Sequence, residues 1–231
     1  MSRRIALTST ADRSAELASM ATRAGLVPVV LPCIEYLPAE ASVLEKARRR
    51  AAVCDWLVVT SSRTVTTLWP EGAMPDVAVG AVGSATAAAV RTAGGDPAVV
   101  GEAGSADLFE TMAPLISGRS VFFPHAGGAD LSGVDILRAI GGVVETMTVY
   151  DTEPIAPAGD AVDAVVFGSP TAVAGWFLSR RLDGLLVGAI GATTASALEA
   201  LGEIPDVVPD QPSLDTLIVL IAETLRARSS A

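Results

Sequence analysis

The sequence has few of the residues on which charge-driven binding and side-chain-rich catalysis depend. Of its 231 residues, one is histidine, two are cysteine and 4% are aromatic. A single histidine excludes mechanisms that need two, and two cysteines exclude a disulfide framework and a cysteine-rich zinc site. The 16 Lys and Arg residues are outnumbered by 26 Asp and Glu residues, which gives a net charge of −10. No basic stripe is therefore available to hold a nucleic acid.

Long apolar segments are also missing, although half of the residues are hydrophobic. The longest uncharged stretch, residues 164–179, contains glycine, proline and several polar residues, so no segment is expected to span a membrane. The apolar stretch at the N-terminus is far too short for a signal peptide. No group of Asp, Glu and His has the spacing of metal ligands. We therefore expect a soluble, acidic, cytoplasmic protein without a metal site.

Short apolar runs alternate with amphipathic segments along the chain. Runs of Val, Ile, Leu and Phe bounded by Gly, Pro, Ser or Asp are typical of parallel strands that are buried on both faces. Their alternation with helical segments predicts an α/β fold, and ten strands fit two sheets of five better than one sheet of ten. The predicted strands are residues 5–8, 27–31, 56–60, 77–81, 97–100, 120–123, 143–148, 164–167, 185–189 and 206–208.

The chain contains an internal repeat. Residues 79–100 and 187–208 are identical at 11 of 22 positions with an offset of 108 residues, and a weaker echo relates 3–38 to 119–154. The order is A–B–A′–B′, where A contributes two strands and B three, so a domain has been duplicated. The pattern leaves open whether A pairs with B or, in a crossed arrangement, with B′. The segments that end at Pro38 and Pro154 extend beyond their strands, which favours a two-stranded connector and the crossed arrangement.

Small polar residues follow several of the predicted strands and then begin a helix. In an open parallel sheet these strand ends face the ligand crevice, and helix N-termini bind anions through free N–H groups. Each turn alone is also explained as a helix N-cap, but five equivalent turns predict a joint site for a large polar or anionic ligand. The turns are Thr8-Ser9-Thr10, Thr60-Ser61-Ser62, Gly83-Ser84, Gly168-Ser169-Pro170 and Gly191-Ala192-Thr193-Thr194.

Two charged or titratable residues lie beside these turns. His125 follows a predicted strand, next to Pro124, and is compatible with lining the cleft or with a place on the surface. Arg63 begins a predicted helix beside Ser61 and Ser62, where it is compatible with holding a carboxylate or with a solvated position.

Five motifs resemble, in order and spacing, those of the uroporphyrinogen-III synthase family: VVTSSRTV, VGAVGSATAAAVRTAGG, TVYDTEP, VVFGSPTAV and VGAIGATTASALEALG. The resemblance covers essentially the whole chain. It implies two flavodoxin-like domains with parallel five-stranded sheets, one inserted in the other and joined by a two-stranded antiparallel connector. On this basis domain 1 comprises residues 1–35 and 152–231, the inserted domain 2 comprises 38–148, and the connector strands are 33–38 and 147–154.

The resemblance also implies a reaction. It is that of a lyase of porphyrin, tetrapyrrole and haem biosynthesis, which cyclises hydroxymethylbilane to uroporphyrinogen III in the interdomain cleft, with loss of water and inversion of ring D. A monomer without a cofactor is implied, with hydroxymethylbilane synthase as the source of the substrate and with neither a nucleic acid nor a membrane as a partner. The alternative is a non-catalytic tetrapyrrole-binding or sensing paralogue of the same fold.

The family's functional residues carry over to particular positions. Tyr150 matches the tyrosine of the VY-x-T motif and is the candidate acid or hydrogen-bond donor. Two cations of many members are absent: the turn after the first strand lacks an arginine, and the turn after residues 120–123 has no basic residue before Arg138. The candidate substrate-binding residues are Thr8, Ser9, Ser61, Ser62, Arg63, Ser84, Thr86, His125, Ser169, Thr193 and Thr194.

Overall fold

The protein has an α/β fold whose strands form two sheets. The computed structural model describes residues 3–102, 104–129 and 131–230. The strands in this part are β1 (Arg4–Leu7), β2 (Val27–Val30), β3 (Ile34–Pro38), β4 (Trp56–Val59), β5 (Ala78–Val82), β6 (Pro97–Gly101), β7 (Ser120–Ala126), β8 (Val143–Pro154), β9 (Ala164–Phe167) and β10 (Leu186–Ala189). The helices are α1 (Ala11–Arg23), α2 (Ala41–Ala51), α3 (Ser62–Leu68), α4 (Gly83–Thr92), α5 (Ser105–Met112), α6 (Ser132–Ala139), α7 (Pro170–Phe177), α8 (Ala192–Glu199) and α9 (Leu214–Ser230).

The chain divides into two compact units, each with its own sheet. Unit 1 comprises Met1–Tyr36 with Thr152–Ala231, and unit 2 comprises Leu37–Asp151. The sheet of unit 1 has the strand order β10-β9-β1-β2, with parallel neighbours. Helices α1 and α9 cover one face of this sheet, and α7 and α8 cover the other. Both faces are buried, which is why β9 and β10 are continuous apolar runs.

The sheet of unit 2 has the order β3-β8-β7-β4-β5-β6. Strands β8, β7, β4, β5 and β6 are parallel to one another. Helices α5 and α6 pack on one face around Phe109, Phe123 and Val134. Helix α5 comes close because the strands beneath it carry glycines: a Cβ on Gly101 would lie 2.6 Å from the Leu108 Cβ.

The prediction of two five-stranded sheets is wrong, because the sheets have four and six strands. The predicted strand 206–208 makes only an isolated parallel bridge, from Val207 to Gly188. It is followed by Pro209, which has no N–H to extend a ladder. The repeat-related residue in unit 2 is Gly101, and there β6 remains paired through its last residue. Unit 1 therefore has four strands and a single bridge where a fifth strand was predicted.

The sixth strand of the other sheet comes from the segments predicted to connect the domains. Strand β3 is the neighbour of β8 in the sheet of unit 2 and so is part of that sheet. The Ala39 N–H donates to the Val149 oxygen, and the Ile155 N–H donates to the Cys33 oxygen, each at 3.0 Å. Residue 33 is bonded to residue 155 and residue 39 to residue 149, so the two segments run antiparallel.

Candidate functional site

The parallel strands β4, β5, β7 and β8 of unit 2 end at one edge of their sheet. A helix or a turn follows each of these strands at this edge. Ser61 lies between β4 and α3, and Gly83 is the first residue of α4. Gly83 has φ +75°, which glycine adopts without the steric cost that a side chain would impose. Since strand ends of parallel sheets are where ligands bind, this edge is the candidate site of unit 2.

Tyr150 and Ser61 are predicted site residues that the structure joins directly. The Tyr150 hydroxyl, on β8, donates to the Ser61 Oγ at 3.4 Å. Strand β7 lies between β8 and β4, and its residue opposite Tyr150 is the small Ala126. The side chain of Tyr150 is held in place, since only 6% of the residue is exposed. Hydroxyl-to-hydroxyl bonds are usually about 2.7–2.8 Å long, so the contact between Tyr150 and Ser61 is a long hydrogen bond.

Ser61 also begins α3. Its Oγ accepts the backbone N–H of Arg63 at 3.2 Å and so caps the helix. The same oxygen thus accepts from Tyr150 and from Arg63, and its own proton has no acceptor in the described part of the chain. Ser62 is exposed and Arg63 is half-buried. The start of α3 therefore offers the Ser61 proton to a ligand beside the Tyr150 hydroxyl.

The first turn of α4 contributes two further candidates. Ser84 is exposed, and Thr86 is buried. The residue before the helix is Val82, and no side chain caps the first backbone N–H groups. Uncapped N–H groups at a helix start carry partial positive charge and can bind an anion.

The structure places His125 differently from the sequence prediction. Strand β7 continues to Ala126, beyond its predicted end at Phe123, so His125 lies within the strand and is only 7% exposed. Its Nδ1 donates to the Ala126 oxygen at 2.7 Å, and its ring meets that of Phe123 edge-on, with centroids 5.8 Å apart. Phe123 belongs to the core under α5 and α6. His125 is therefore buried, which excludes the surface position, and its role in substrate binding stays a prediction.

The ends of β1 and β9 form a similar edge in unit 1. The Thr8 Oγ1 donates to the Val166 oxygen at 2.7 Å, so this buried hydroxyl holds the end of β1 to β9. Ser9 is buried beside the turn after β9, since a Cβ on Gly168 would lie 3.8 Å from the Ser9 Oγ. The turns after β1 and β9 therefore meet, but the Thr8 proton is already used by the fold.

The remaining candidates of unit 1 repeat the pattern of unit 2. Ser169 caps α7, since its Oγ accepts the Ala172 N–H at 3.2 Å. Helix α8 follows Gly191 and has no side-chain cap. Thr193 is exposed in its first turn and Thr194 is buried. Each unit thus presents one capped and one uncapped helix start after successive strands of the repeated block.

The structure adds Thr10, which lies in the first of the predicted turns but is not one of the candidate residues. Thr10 precedes α1 as its N-cap residue, but its side chain makes no cap hydrogen bond. Its Oγ1 is buried and has no partner in the described part of the chain. An unsatisfied buried hydroxyl costs roughly 1–3 kcal/mol, a cost that an ordered water would offset, and the buried Thr64 Oγ1 of α3 is unpartnered in the same way. The position of Thr10 directly before a predicted helix was the available signal.

Carboxylates with shifted pKa lie at the opposite edges of the sheets, where strands begin. The Ser120 N–H and O–H donate to Asp55 at 2.8 and 2.7 Å and lower the pKa of that carboxyl. The Arg4 N–H donates to Asp163 at 2.7 Å and lowers its pKa in the same way. These groups stabilise strand starts and lie away from the candidate edges.

Other kinds of site find no support in the residues that the structure describes. Among them, no three His, Cys, Asp or Glu side chains are grouped as metal ligands would be. None of the described helices combines the length and the apolar character needed to cross a bilayer. The chemistry available at the two edges is therefore that of hydroxyls, backbone N–H groups and Arg63.

Comparison with known proteins gives one family. Residues 15–219 match the family model described as uroporphyrinogen-III synthase HemD. The crystal structure of uroporphyrinogen-III synthetase from Helicobacter pylori is 16% identical, with a TM-score of 0.66, and the match covers 98% of this chain and 100% of that one. A mutant uroporphyrinogen III synthase from the extremely thermophilic bacterium Thermus thermophilus is 20% identical, with a TM-score of 0.61 and the same coverage. These structures share the fold. No curated protein sequence matches the chain.

Proposed function

Because the chain belongs to the uroporphyrinogen-III synthase family, whose members are cyclising lyases of haem biosynthesis, we propose that Tyr150 and Ser61 form the reacting end of its site. The family reaction is the cyclisation of hydroxymethylbilane to uroporphyrinogen III. The observation that carries the proposal is the position of the Tyr150 hydroxyl, which donates to the Ser61 Oγ at the carboxyl edge of the sheet in unit 2.

The proposed first step is the loss of the substrate hydroxyl as water. The Tyr150 O–H gives its proton to the leaving oxygen, the carbon–oxygen bond breaks, and water departs. The electron pair of the pyrrole nitrogen forms the azafulvene, and the proton that this nitrogen loses returns the Tyr150 phenolate to the phenol. The chain then holds the substrate so that the substituted α-carbon of ring D attacks the azafulvene carbon. The spiro intermediate formed in this way opens and recloses with ring D inverted, which is catalysis by orientation.

The eight carboxylates of the substrate need donors, and the protein carries a net charge of −10. Helices α1, α4 and α8 begin without side-chain caps, so their first N–H groups supply partial positive charge without raising the net charge. We propose that these helix starts bind carboxylates, together with the hydroxyls of Ser62, Ser84 and Thr193. The cations that the sequence lacks in the turns after β1 and β7 are replaced, in this proposal, by backbone donors.

Finer expectations stay predictions. They are two flavodoxin-like domains with boundaries at 1–35 with 152–231 and 38–148, a monomeric state, a cytoplasmic location, and receipt of hydroxymethylbilane from hydroxymethylbilane synthase. Size-exclusion chromatography with light scattering tests the monomer.

A coupled isomer assay tests the function. Hydroxymethylbilane is generated in place by hydroxymethylbilane synthase, the protein is added, and the oxidised uroporphyrins are separated by chromatography. We expect isomer III to predominate, because spontaneous closure gives only isomer I. Heat-denatured protein provides the control for spontaneous closure.

Isomer I alone, formed at the rate of the denatured control, would contradict the synthase activity and favour the non-catalytic sensing paralogue. Quenching of protein fluorescence by uroporphyrinogen would then test whether the site still binds a tetrapyrrole.

A further inference from the structure

A cavity of about 520 Å³ lies in unit 2 between the C-terminal turn of α2 and the segment that follows α3. Sites for small molecules usually have volumes of roughly 300–1,000 Å³, so the cavity has the size of a metabolite site. The residues that line it and matter to the argument are Arg48, Leu68, Trp69, Glu71, Ala73 and Pro75.

This cavity is separate from the candidate active site. Helix α3 begins at Ser62, next to Ser61, and ends at Leu68, which lines the cavity. Seven helical residues span about 10 Å, so the cavity lies at the other end of the helix from the Tyr150 hydroxyl. A ligand bound here would not occupy the edge at which Ser61 and Tyr150 meet.

Arg48 gives the cavity a fixed positive charge. Its Nε donates to the Leu68 oxygen at 2.6 Å, which anchors the guanidinium. The terminal nitrogens have no partner in the described part of the chain. The next two arginines differ, since Arg49 pairs with Glu45 and Arg50 pairs with Glu145. Arg48 is therefore oriented by the fold and left without a counter-charge, as expected of a group that binds a carboxylate.

Glu71 gives the same cavity a negative charge. Arg48 and Glu71 are both lining residues, but within the described residues their side chains do not approach to the 4.0 Å of an ion pair. A purely anionic ligand would face the charge of Glu71, and a purely cationic one that of Arg48. A ligand that carries both signs would satisfy both groups.

The backbone at the cavity is strained. Ala73 has φ +64°, the left-handed conformation that an L side chain disfavours, and it follows Gly72 at φ +85°. The segment is held there by the Met74 N–H, which donates to the Ala93 oxygen at 2.9 Å. Such conformations cost of order 1–3 kcal/mol and persist where the surrounding structure imposes them, commonly at ligand sites.

The repeat-related place in unit 1 also holds a cavity, of about 370 Å³, which is lined by residues 177–181. The counterpart of Gly72 is Arg180, whose guanidinium lies 5.2 Å from the ring centre of Trp176. Arg180 also donates to the Asp160 oxygen at 3.2 Å. Gly72 has no side chain to make such contacts. Both units therefore have a cavity here, and the cavities differ in charge: Arg180 and Arg181 line the one in unit 1, whereas an arginine and a glutamate line the one in unit 2.

We propose that the cavity in unit 2 binds a small zwitterion. The ligand's carboxylate binds to the free nitrogens of Arg48, its ammonium group binds to Glu71, and its apolar chain packs against Trp69 and Pro75. The site is distinct from that of the tetrapyrrole substrate.

Binding of simple amino carboxylates tests the proposal. Glycine, β-alanine, 4-aminobutanoate and 5-aminopentanoate are titrated into ¹⁵N-labelled protein, with pentanoate and pentylamine as probes of single charge. We expect at least one amino carboxylate to bind saturably and to shift the amide signals of Gly72 and Ala73. No binding by any of the four, equal binding by pentanoate or pentylamine, or shifts at Ser61 and Gly83 instead would overturn the proposal.

Variants assign the two charges. Arg48→Gln and Glu71→Gln should each weaken binding of the tightest-binding amino carboxylate about tenfold, because each removes a charge-assisted hydrogen bond. Arg49→Gln is the matched control and should bind as wild type does. Arg48 also supports the backbone at Leu68, so the exposed Glu71→Gln variant decides the test if Arg48→Gln does not fold. Unchanged affinity in Glu71→Gln would overturn the zwitterion.

Discussion

The two copies of the repeated block, residues 55–107 in unit 2 and 163–215 in unit 1, are anchored alike and equipped differently. In each copy an aspartate, Asp55 or Asp163, precedes the first strand and accepts the N–H of the first residue of a neighbouring strand. Each aspartate also forms an ion pair with the arginine that directly precedes this neighbouring strand. The pair is Arg119 with Asp55 at 3.5 Å in unit 2, and Arg3 with Asp163 at 3.0 Å in unit 1. In each copy a serine then caps the helix that follows the strand.

The difference lies over the capping serine. In unit 2 the Tyr150 hydroxyl reaches Ser61. Strand β2 pairs with β1 in the same register as β8 pairs with β7, since Arg4 lies opposite Val27 and Ser120 opposite Val143. In this register the position in unit 1 equivalent to Tyr150 is Ile34, which has no polar side-chain atom. The cap of unit 1, Ser169, therefore lacks this donor. Duplication supplied two similar edges, and one hydroxyl distinguishes the edge proposed to react.

The largest effect is expected where a backbone of unit 1 approaches closely. A Cβ on Gly175 of α7 would lie 2.1 Å from the Cys33 oxygen and 2.8 Å from the Ile155 oxygen. Gly175→Ala should lower the free energy of unfolding by about 3 kcal/mol or more, because backbone atoms cannot yield as a side chain can. The repeat-related Thr67→Ala in α3 is the control and should change it by less than about 1 kcal/mol. Urea unfolding measures both, and equal stabilities would contradict the close approach.

The next effect concerns the hydroxyl that only unit 2 has. Tyr150→Phe should lower the rate of isomer III formation about 100-fold, the scale of a lost general acid, with little change in unfolding. The chain has only two tyrosines, so Tyr36→Phe is a matched control and should keep the wild-type rate. A Tyr150→Phe protein with wild-type turnover would remove the phenol from the mechanism.

A smaller effect separates the two caps. Ser61→Ala and Ser169→Ala each remove a bond to a helix N–H, so each should lower stability by about 1 kcal/mol. Only Ser61→Ala also removes the acceptor of Tyr150, and it alone should change the steady-state turnover. Thermal unfolding and the isomer assay are run on both variants. Equal turnover losses would show that the edges act alike.

The smallest effect is expected in acid. Hydrogen bonds from Ser120 and Arg4 lower the pKa values of Asp55 and Asp163 below their ordinary 3.8, so the folded state favours the ionised carboxylates. Their contribution to stability is present above that ordinary value and is lost as pH falls below about 4 through the folded values. Asp163→Asn should make the fall of the urea midpoint between about pH 5 and pH 3 shallower.

Asp55→Asn should act in the same direction but less, since its side chain is 42% exposed against 32% for Asp163. Equal slopes in the wild type and in both variants would mean that other groups govern the acid transition.

Much of the local structure could be read from the residue pattern. Strand β9 has the predicted bounds, because four consecutive apolar residues between Asp163 and Gly168 are typical of a parallel strand that is buried on both faces. The serines at 61 and 169 act as the predicted caps. The predicted strand 206–208 was wrong because its sequence is nearly that of β6, and a single Pro209 in place of Gly101 decides how far the ladder extends.

The candidate site was only partly readable. Tyr150 and Ser61 were each chosen from motifs, but the bond between them joins residues 89 positions apart and depends on the order of three strands. His125 was misplaced because pairing with β8 extends β7 through its position. The unpartnered hydroxyl of Thr10 and the cavity at Arg48 arise because no other part of the protein fills the space beside them. The spacing of residues along the sequence does not predict such unfilled space.

The amino-acid sequence by itself determined the α/β class, the duplication, the caps and the family, because these follow from local apolar runs, turn residues and motifs. Only the tertiary structure decided which segments share a sheet. Asp163 meets Arg4 across 159 residues, and β4 pairs with β7 rather than with β1. Buried strands of similar apolar composition are nearly interchangeable as partners. The order of the strands is set by the sum of backbone pairings between distant segments. That order also decides that a tyrosine hydroxyl reaches the cap Ser61.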